Sequence, residues 1–334
     1  MRIRRLVVVG VALATTAFIS PAGATGTVPT YVALGDSYTS GAGLTPYLAG
    51  SNGCSRSPEA FPEDVARTMP GAQLDFVACS GATISQITRQ VRDASASLAN
   101  ATLVTLSAGG NDVGFSKLSI SCIGAVTSPS SNDVRYLPFT GGPVACASSI
   151  NSAARLLGAR VHPKIGALST PATVTASTLI SPSPFEVRLL SLIQGVLQSS
   201  VAGNGGNGAQ VLVVSYPVLL AHRTNRACLV GGAPIDIPGE IALHPAFASV
   251  VARELISINS LVRRETASVV STLARTQSRL ILVNAPSFAP LNCTTGSSSD
   301  LNGFSVATLR SGAVLHPTIL GQQVLASAVV GEIN

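Results

Sequence analysis

Tryptophan is absent from this 334-residue sequence, aromatic residues of every kind make up 4% of it, and charged residues only 11%. Each shortage removes a class of reading. So few rings give little support for a platform that stacks on sugars. The formal charge of +6 includes Arg2, Arg4 and Arg5 at the extreme N-terminus, and without them 18 basic residues face 15 acidic ones. That excess is too small and too scattered for a nucleic-acid footprint. No two cysteines stand two to four residues apart, so the usual spacing of a structural zinc site is missing. Neither G-x-S-x-G nor H-E-x-x-H occurs, which leaves the α/β-hydrolase elbow and the zinc-protease helix without a sequence warrant. No metal and no organic cofactor is implied.

What is present begins with a leader. The basic start is followed by an apolar stretch, Leu6 to Ile19, and by Ala22-Gly23-Ala24, an A-x-A-like cleavage site. Fourteen residues fall short of the roughly 18 needed to span a bilayer. Residues 1–24 therefore read as a signal peptide, and the expected product is a secreted chain, free or associated with the cell envelope, with no stable membrane insertion. Cys54, Cys79, Cys122, Cys146, Cys228 and Cys293 all follow the leader. In an oxidising compartment six cysteines make three disulfides, with 15 possible connectivities.

Five short apolar runs read as strands: Tyr31–Gly35, Gln73–Ala78, Thr102–Ser107, Gln210–Tyr216 and Arg279–Ala285. Helical spacing lies between and after them. Phe61–Met69 opens with Pro62, Glu63 and Asp64, a stripe runs through Ile84, Ile87, Val91 and Leu98, and a long amphipathic helix covers Phe247–Leu273. Thr318–Val330 closes the chain as another helix. Residues 116–209 interrupt this rhythm with Ser/Pro-rich and Gly/Asn-rich pieces and read as an insertion of helices and loops within one domain, 25–334. Its apolar piece, Val187 to Leu197, fits an acyl-binding wall or lid and fits core packing equally well. Strands alternating with helices define an α/β protein whose mainly parallel five-stranded sheet is covered on both faces.

Right-handed crossovers bring the carboxyl ends of such strands to one edge, where open α/β sheets bind ligands. Ser37 falls just past the first strand, Gly81 past the second, Asn111 past the third, and His316 in the loop after the fifth. That set suits nucleophilic catalysis. Ser37 attacks a carbonyl, His316 carries the proton, and the Ser37 N–H, Gly81 N–H and Asn111 amide face the oxyanion. Taken alone, Gly35-Asp36-Ser37-Tyr38 is as readable as a capped turn.

The pieces Gly35-Asp36-Ser37-Tyr38, Cys79-Ser80-Gly81-Ala82-Thr83, Gly109-Gly110-Asn111-Asp112 and Leu315-His316-Pro317-Thr318, followed by Gly321-Gln322, resemble the SGNH hydrolase superfamily. These are the GDSL-type lipases and esterases, and the similarity is to their secreted actinobacterial branch. The resemblance implies a flavodoxin-like three-layer α/β/α sandwich and hydrolysis of carboxylic esters; the expected substrate is a lipid or small-molecule ester and the expected state a monomer. It also implies Ser37 as nucleophile, His316 as base, and Gly81 and Asn111 as oxyanion donors. One departure stands out: the family's Asp three residues before the His is here Ala313. The Ala313 main-chain carbonyl is the expected orienter of His316, since a carbonyl can accept Nδ1–H and fix the tautomer. Asp300 is the second candidate, if its loop folds back.

His244 reads as a helix-start or surface residue, His162 and His222 carry no assigned role, and Asp36 and Asp112 read as supports for the turns that present Ser37 and Asn111. With cysteines placed on strand-end loops and in the insertion, the expected pairing is sequential: Cys54–Cys79, Cys122–Cys146 and Cys228–Cys293. Two other functions fit the sequence, deacetylation of a carbohydrate or small ester, and a non-catalytic envelope binding protein that has lost the triad acid.

Overall fold

A computed structural model of the chain describes residues 28–115, 125–127, 134–136, 142–158, 160–162, 173–175, 182–218, 245–288, 300–302, 313 and 315–333. The expected signal peptide lies outside the described residues. Among those described, no helix is long and apolar enough to cross a membrane.

The sheet is built from β1 (Thr30–Leu34), β2 (Gln73–Phe76), β3 (Ala101–Leu106), β4 (Gln210–Val214) and β5 (Leu280–Val283), in the order β2-β1-β3-β4-β5. Every pairing is parallel. Parallel strands covered on both faces need apolar residues without alternation. In β1, Tyr31 to Leu34 are all buried, as are Val211 to Val214 in β4. β2 is the edge, and its four residues are only partly buried or exposed. Each strand stops one or two residues short of the apolar run that marks it, so Gly35, Ser107, Ser215 and Tyr216 lie past the ladder.

The helices are α1 (Ser37–Ser40), α2 (Phe61–Thr68), α3 (Ile84–Asp93), α4 (Ser95–Ala99), α5 (Gly142–Leu156), α6 (Pro184–Ser199), α7 (Pro245–Ala274) and α8 (Ile319–Val330). α2 packs with α8, while α3 packs with α6 and α6 with α7, giving the layers of a flavodoxin-like sandwich. The apolar piece of the 116–209 stretch belongs to the core. Phe185, Leu189, Leu192, Ile193, Val196 and Leu197 of α6 are buried. Ser183 starts that helix by accepting Glu186 N–H at 3.1 Å, with Pro184 following at the position where proline costs no hydrogen bond. The same stretch contains two antiparallel ribbons, Ala125–Thr127 with Val134–Tyr136 and Arg160–His162 with Thr173–Thr175. Helices and loops were expected there, and three-residue strands are too short to leave a legible alternation.

Candidate active site

The sheet order places β1 between β2 and β3, so the loop carrying Ser37 is flanked by those carrying Gly81 and Asn111. The point where chain direction across the sheet reverses, between β1 and β3, lies at the same place.

Gly35 follows β1 with φ +149, and a Cβ there would lie 2.4 Å from Thr39 Oγ1. Glycine is the residue that fits. Its peptide groups are held by Gln90 of α3, whose Oε1 accepts Gly35 N–H at 3.0 Å and whose Nε2 donates to Gly35 O at 2.9 Å. Asp36 then caps α1, its Oδ1 accepting Tyr38 N–H at 3.0 Å. Ser37 is the first residue of that helix and is 7% exposed. Its N–H has no acceptor within the helix.

Asp36 has a second partner. Its Oδ2 accepts the Tyr216 hydroxyl at 2.5 Å, and the same hydroxyl oxygen accepts Gly110 N–H at 2.8 Å. Burial pushes the Asp36 carboxyl up to about 6 against the pull of the Tyr216 and Tyr38 hydrogen bonds, with the Asp112 charge adding to the rise. Burial, followed by the Asp36 charge, holds the Tyr216 hydroxyl well above its ordinary range.

The Gly81 and Asn111 loops are tied to each other. Asn111 Nδ2 donates to Ala82 O at 3.0 Å, and Asp112 Oδ2 accepts Ile84 N–H at 2.7 Å, capping α3 from the neighbouring loop. Asp112 was expected to support its own turn; its carboxylate interacts with its own backbone N–H and also supports the turn that carries Gly81. Burial raises its carboxyl, and the Ile84 N–H and the Arg188 charge oppose that rise. Gly81 has φ +80, and among the described residues nothing lies within 4 Å of where a Cβ would be. Cys54 and Cys79 form a disulfide, and Ser80 N–H donates to Cys54 O at 2.9 Å, which anchors the loop from its outer side. Cys122, Cys228 and Cys293 lie outside the described residues, as does the side chain of Cys146, so the other two expected pairs fall there.

His316 reaches this edge from the far end of the chain. The Tyr38 hydroxyl donates to Leu315 O at 2.5 Å, and the Tyr38 and His316 rings lie 5.5 Å apart, inclined at 39°. Gln322 adds a second tie, its Nε2 donating to Tyr38 O at 3.1 Å while its Oε1 accepts Phe61 N–H at 2.9 Å. The Ala313 carbonyl accepts the backbone N–H of His316 at 2.9 Å. Asp300 does fold back: Leu301 bridges Pro317, Asp300 O accepts Thr318 N–H at 3.0 Å, and Asp300 lines a cleft between the end of β5 and α8. His222 and His244 fall outside the described residues, and His162 is placed only by its backbone.

Two residues that organise this edge carried no role in the sequence reading. Tyr216 was the end of a strand, and a buried polar aromatic two residues past β4 is the signal that marks it. Gln90 shares the buried stripe of Ile84, Ile87 and Val91, where an amide among apolar residues implies a buried partner. Among the described residues no group of three His, Cys, Asp or Glu side chains could hold a metal ion.

The sheet order and the helices packed on it define a flavodoxin-like α/β/α protein. Residues 33–324 match the GDSL-like lipase/acylhydrolase family, and the chain belongs to that family. It is 40% identical over 111 residues to Lipase 1 of Streptomyces coelicolor, covering 33% of this chain and 39% of that protein. It is 38% identical over 93 residues to a lipase of Streptomyces rimosus, covering 28% and 34% respectively. The matches thus span less than two-fifths of these curated relatives. Whole-chain likeness is to folds. The crystal structure of an extracellular lipase from Streptomyces rimosus superposes with a TM-score of 0.54 at 22% identity, covering 90% of this chain and 99% of that one. Phospholipase A1 from Streptomyces albidoflavus NA297 superposes with a TM-score of 0.55 at 23% identity, covering 92% and 100%.

Proposed function

We propose that this chain is a secreted serine esterase or lipase that hydrolyses carboxylic acyl esters through an acyl-enzyme on Ser37. The observation that carries the reading is the docking of the His316 turn on Tyr38, next to Ser37, beside the paired Gly81 and Asn111 loops. In this mechanism Ser37 Oγ attacks the ester carbonyl while His316 takes its proton. The carbonyl oxygen becomes an oxyanion held by Ser37 N–H, Gly81 N–H and Asn111. One Asn111 amide hydrogen is engaged by Ala82 O, which orients the group so that its other hydrogen serves the oxyanion. His316 then protonates the departing alcohol. Water, deprotonated by the same imidazole, releases the acid and restores Ser37. The Ala313 carbonyl is the proposed orienter of Nδ1–H, with one lone pair on the His316 backbone and the other for the ring.

Ser37→Ala, assayed on p-nitrophenyl esters of graded chain length, is expected to abolish turnover above background, and the wild type is expected to label at Ser37 with a fluorophosphonate. Undiminished hydrolysis by the variant would sink the assignment. The chain-length profile separates lipase from short-chain esterase and deacetylase action.

A further inference from the structure

Three strand ends converge on one hydroxyl. Tyr216, two residues past β4, lies beneath the edge formed by the loops after β1 and β3, in the middle of the sheet. Its oxygen donates to Asp36 Oδ2, adjacent to Ser37, and accepts the N–H of Gly110, adjacent to Asn111. The fit is close. A Cβ on Gly110 would lie 3.0 Å from the Tyr216 oxygen and 3.1 Å from Cζ, while the Tyr216 ring meets the Tyr38 ring edge-on at 5.2 Å and 86°. Arg263 of α7 holds the base of the residue, donating to Tyr216 O and, at 3.3 Å, to Ala285 O. A side chain that only filled space would need none of these polar contacts.

We propose that Tyr216 is a positioning residue for ester hydrolysis, whose hydroxyl, oriented by Asp36, fixes the Gly109–Gly110 peptide just before Asn111 so that the Asn111 amide stands in register with Ser37. The proposal rests on the reading of Ser37 and Asn111 given above. Its logic is directional. An ionised Asp36 accepts only, so the Tyr216 proton points at it and the oxygen's lone pairs are left for Gly110 N–H. A protonated Asp36 no longer dictates that order. Among the described residues, the groups that face Asp36 are Tyr216 past β4, Tyr38 of α1 and Asp112 after β3, with Arg188 of α6 acting on Asp112.

The test is Tyr216→Phe, Asn111→Ala and the double variant, with kcat, KM and pH profiles on p-nitrophenyl butyrate. Tyr216→Phe is expected to lower kcat roughly 10- to 100-fold, less than the roughly 10²- to 10³-fold of deleting an oxyanion donor, with KM changed less than about twofold. Removing the hydroxyl cuts the path by which Asp36 acts, so the part of the acid limb of kcat/KM that reports Asp36 is lost in Tyr216→Phe, and in Asn111→Ala as well. The double variant is expected to be no slower than Asn111→Ala, since Tyr216 acts through Asn111. An unchanged kcat, an unaltered acid limb, or losses that multiply in the double variant would each overturn the proposal. Should Tyr216→Phe not fold, Asp36→Asn replaces it, keeping the hydroxyl while removing the charge that orients it. Lower kcat with a flattened acid limb supports the proposal, and wild-type values overturn it. Fluorophosphonate labelling separates the two levels: no Ser37 adduct in the wild type removes the underlying mechanism, whereas an adduct with unaltered Tyr216→Phe kinetics removes only this role.

Discussion

Gln90 offers the sharpest test of how the Ser37 turn is held. Its amide closes a two-bond ring on Gly35, donating at 2.9 Å and accepting at 3.0 Å, with Gln90 itself 7% exposed. Gly35 carries no side chain, so these bonds are the means by which α3 fixes the backbone just before the nucleophile turn. Gln90→Leu keeps the size and removes both bonds. The Gly35 N–H, left unsatisfied, costs about 1–3 kcal/mol, while Gly35 O keeps Cys79 N–H as a donor at 3.0 Å and loses one bond worth about 1 kcal/mol. The apolar side chain returns about 1 kcal/mol through burial, leaving an expected net loss of about 1–3 kcal/mol. Gln90→Glu divides the pair. Its carboxylate still accepts Gly35 N–H but faces Gly35 O with no proton, so burial and that carbonyl raise its pKa in the folded state. A raised carboxyl stabilises the fold in its protonated form, and the contribution is lost as pH rises through the folded pKa. Urea unfolding of the three proteins across pH 4 to 8 should therefore show a nearly pH-independent deficit for the Leu variant relative to wild type. For the Glu variant the deficit should grow as pH rises. A Leu variant as stable as wild type, or a Glu deficit that shrinks toward neutral pH, would refute the reasoning.

Two further outcomes follow from the neighbouring loops. The Cys54–Cys79 bond closes a separation of 25 residues, for which the chain-entropy relation gives a loss of about 3.5 kcal/mol in Cys54→Ala/Cys79→Ala. Urea midpoints check this, and kcat should fall as well, because Ser80 and Gly81 lose their outer anchor. Gly109→Ala places a side chain at φ +112, with its Cβ 2.5 Å from Phe185 Cε2. Overpacking and backbone strain together should cost about 2–5 kcal/mol, and adding Phe185→Leu should restore the packing part but not the strain. Thermal denaturation of the single and double variants measures the two parts.

Much of this edge was legible in the sequence because local patterns carry it. Short apolar runs marked the strands, the spacing of Ile84, Ile87 and Val91 marked α3, and the polar or glycine residues just past those runs marked the edge. The 116–209 stretch was less legible: periodicity shows that Val187 to Leu197 has an apolar face but not what that face meets.

By itself, then, the sequence determined the five strands and the helices between them and marked the four candidate residues past strand ends, because each depends on residues near it in the chain. Only the tertiary structure decided the strand order that sets Ser37 between Gly81 and Asn111. The same is true of the docking of His316 on Tyr38 and the assignment of α6 to the core. It also decided that Gln90 serves Gly35, that Asp112 caps α3, and that Tyr216 joins Asp36 to Gly110, contacts spanning 55, 28, 180 and 106 residues. Hydrogen bonds of that reach depend on which strands become neighbours, and no local pattern of apolar and polar residues specifies that.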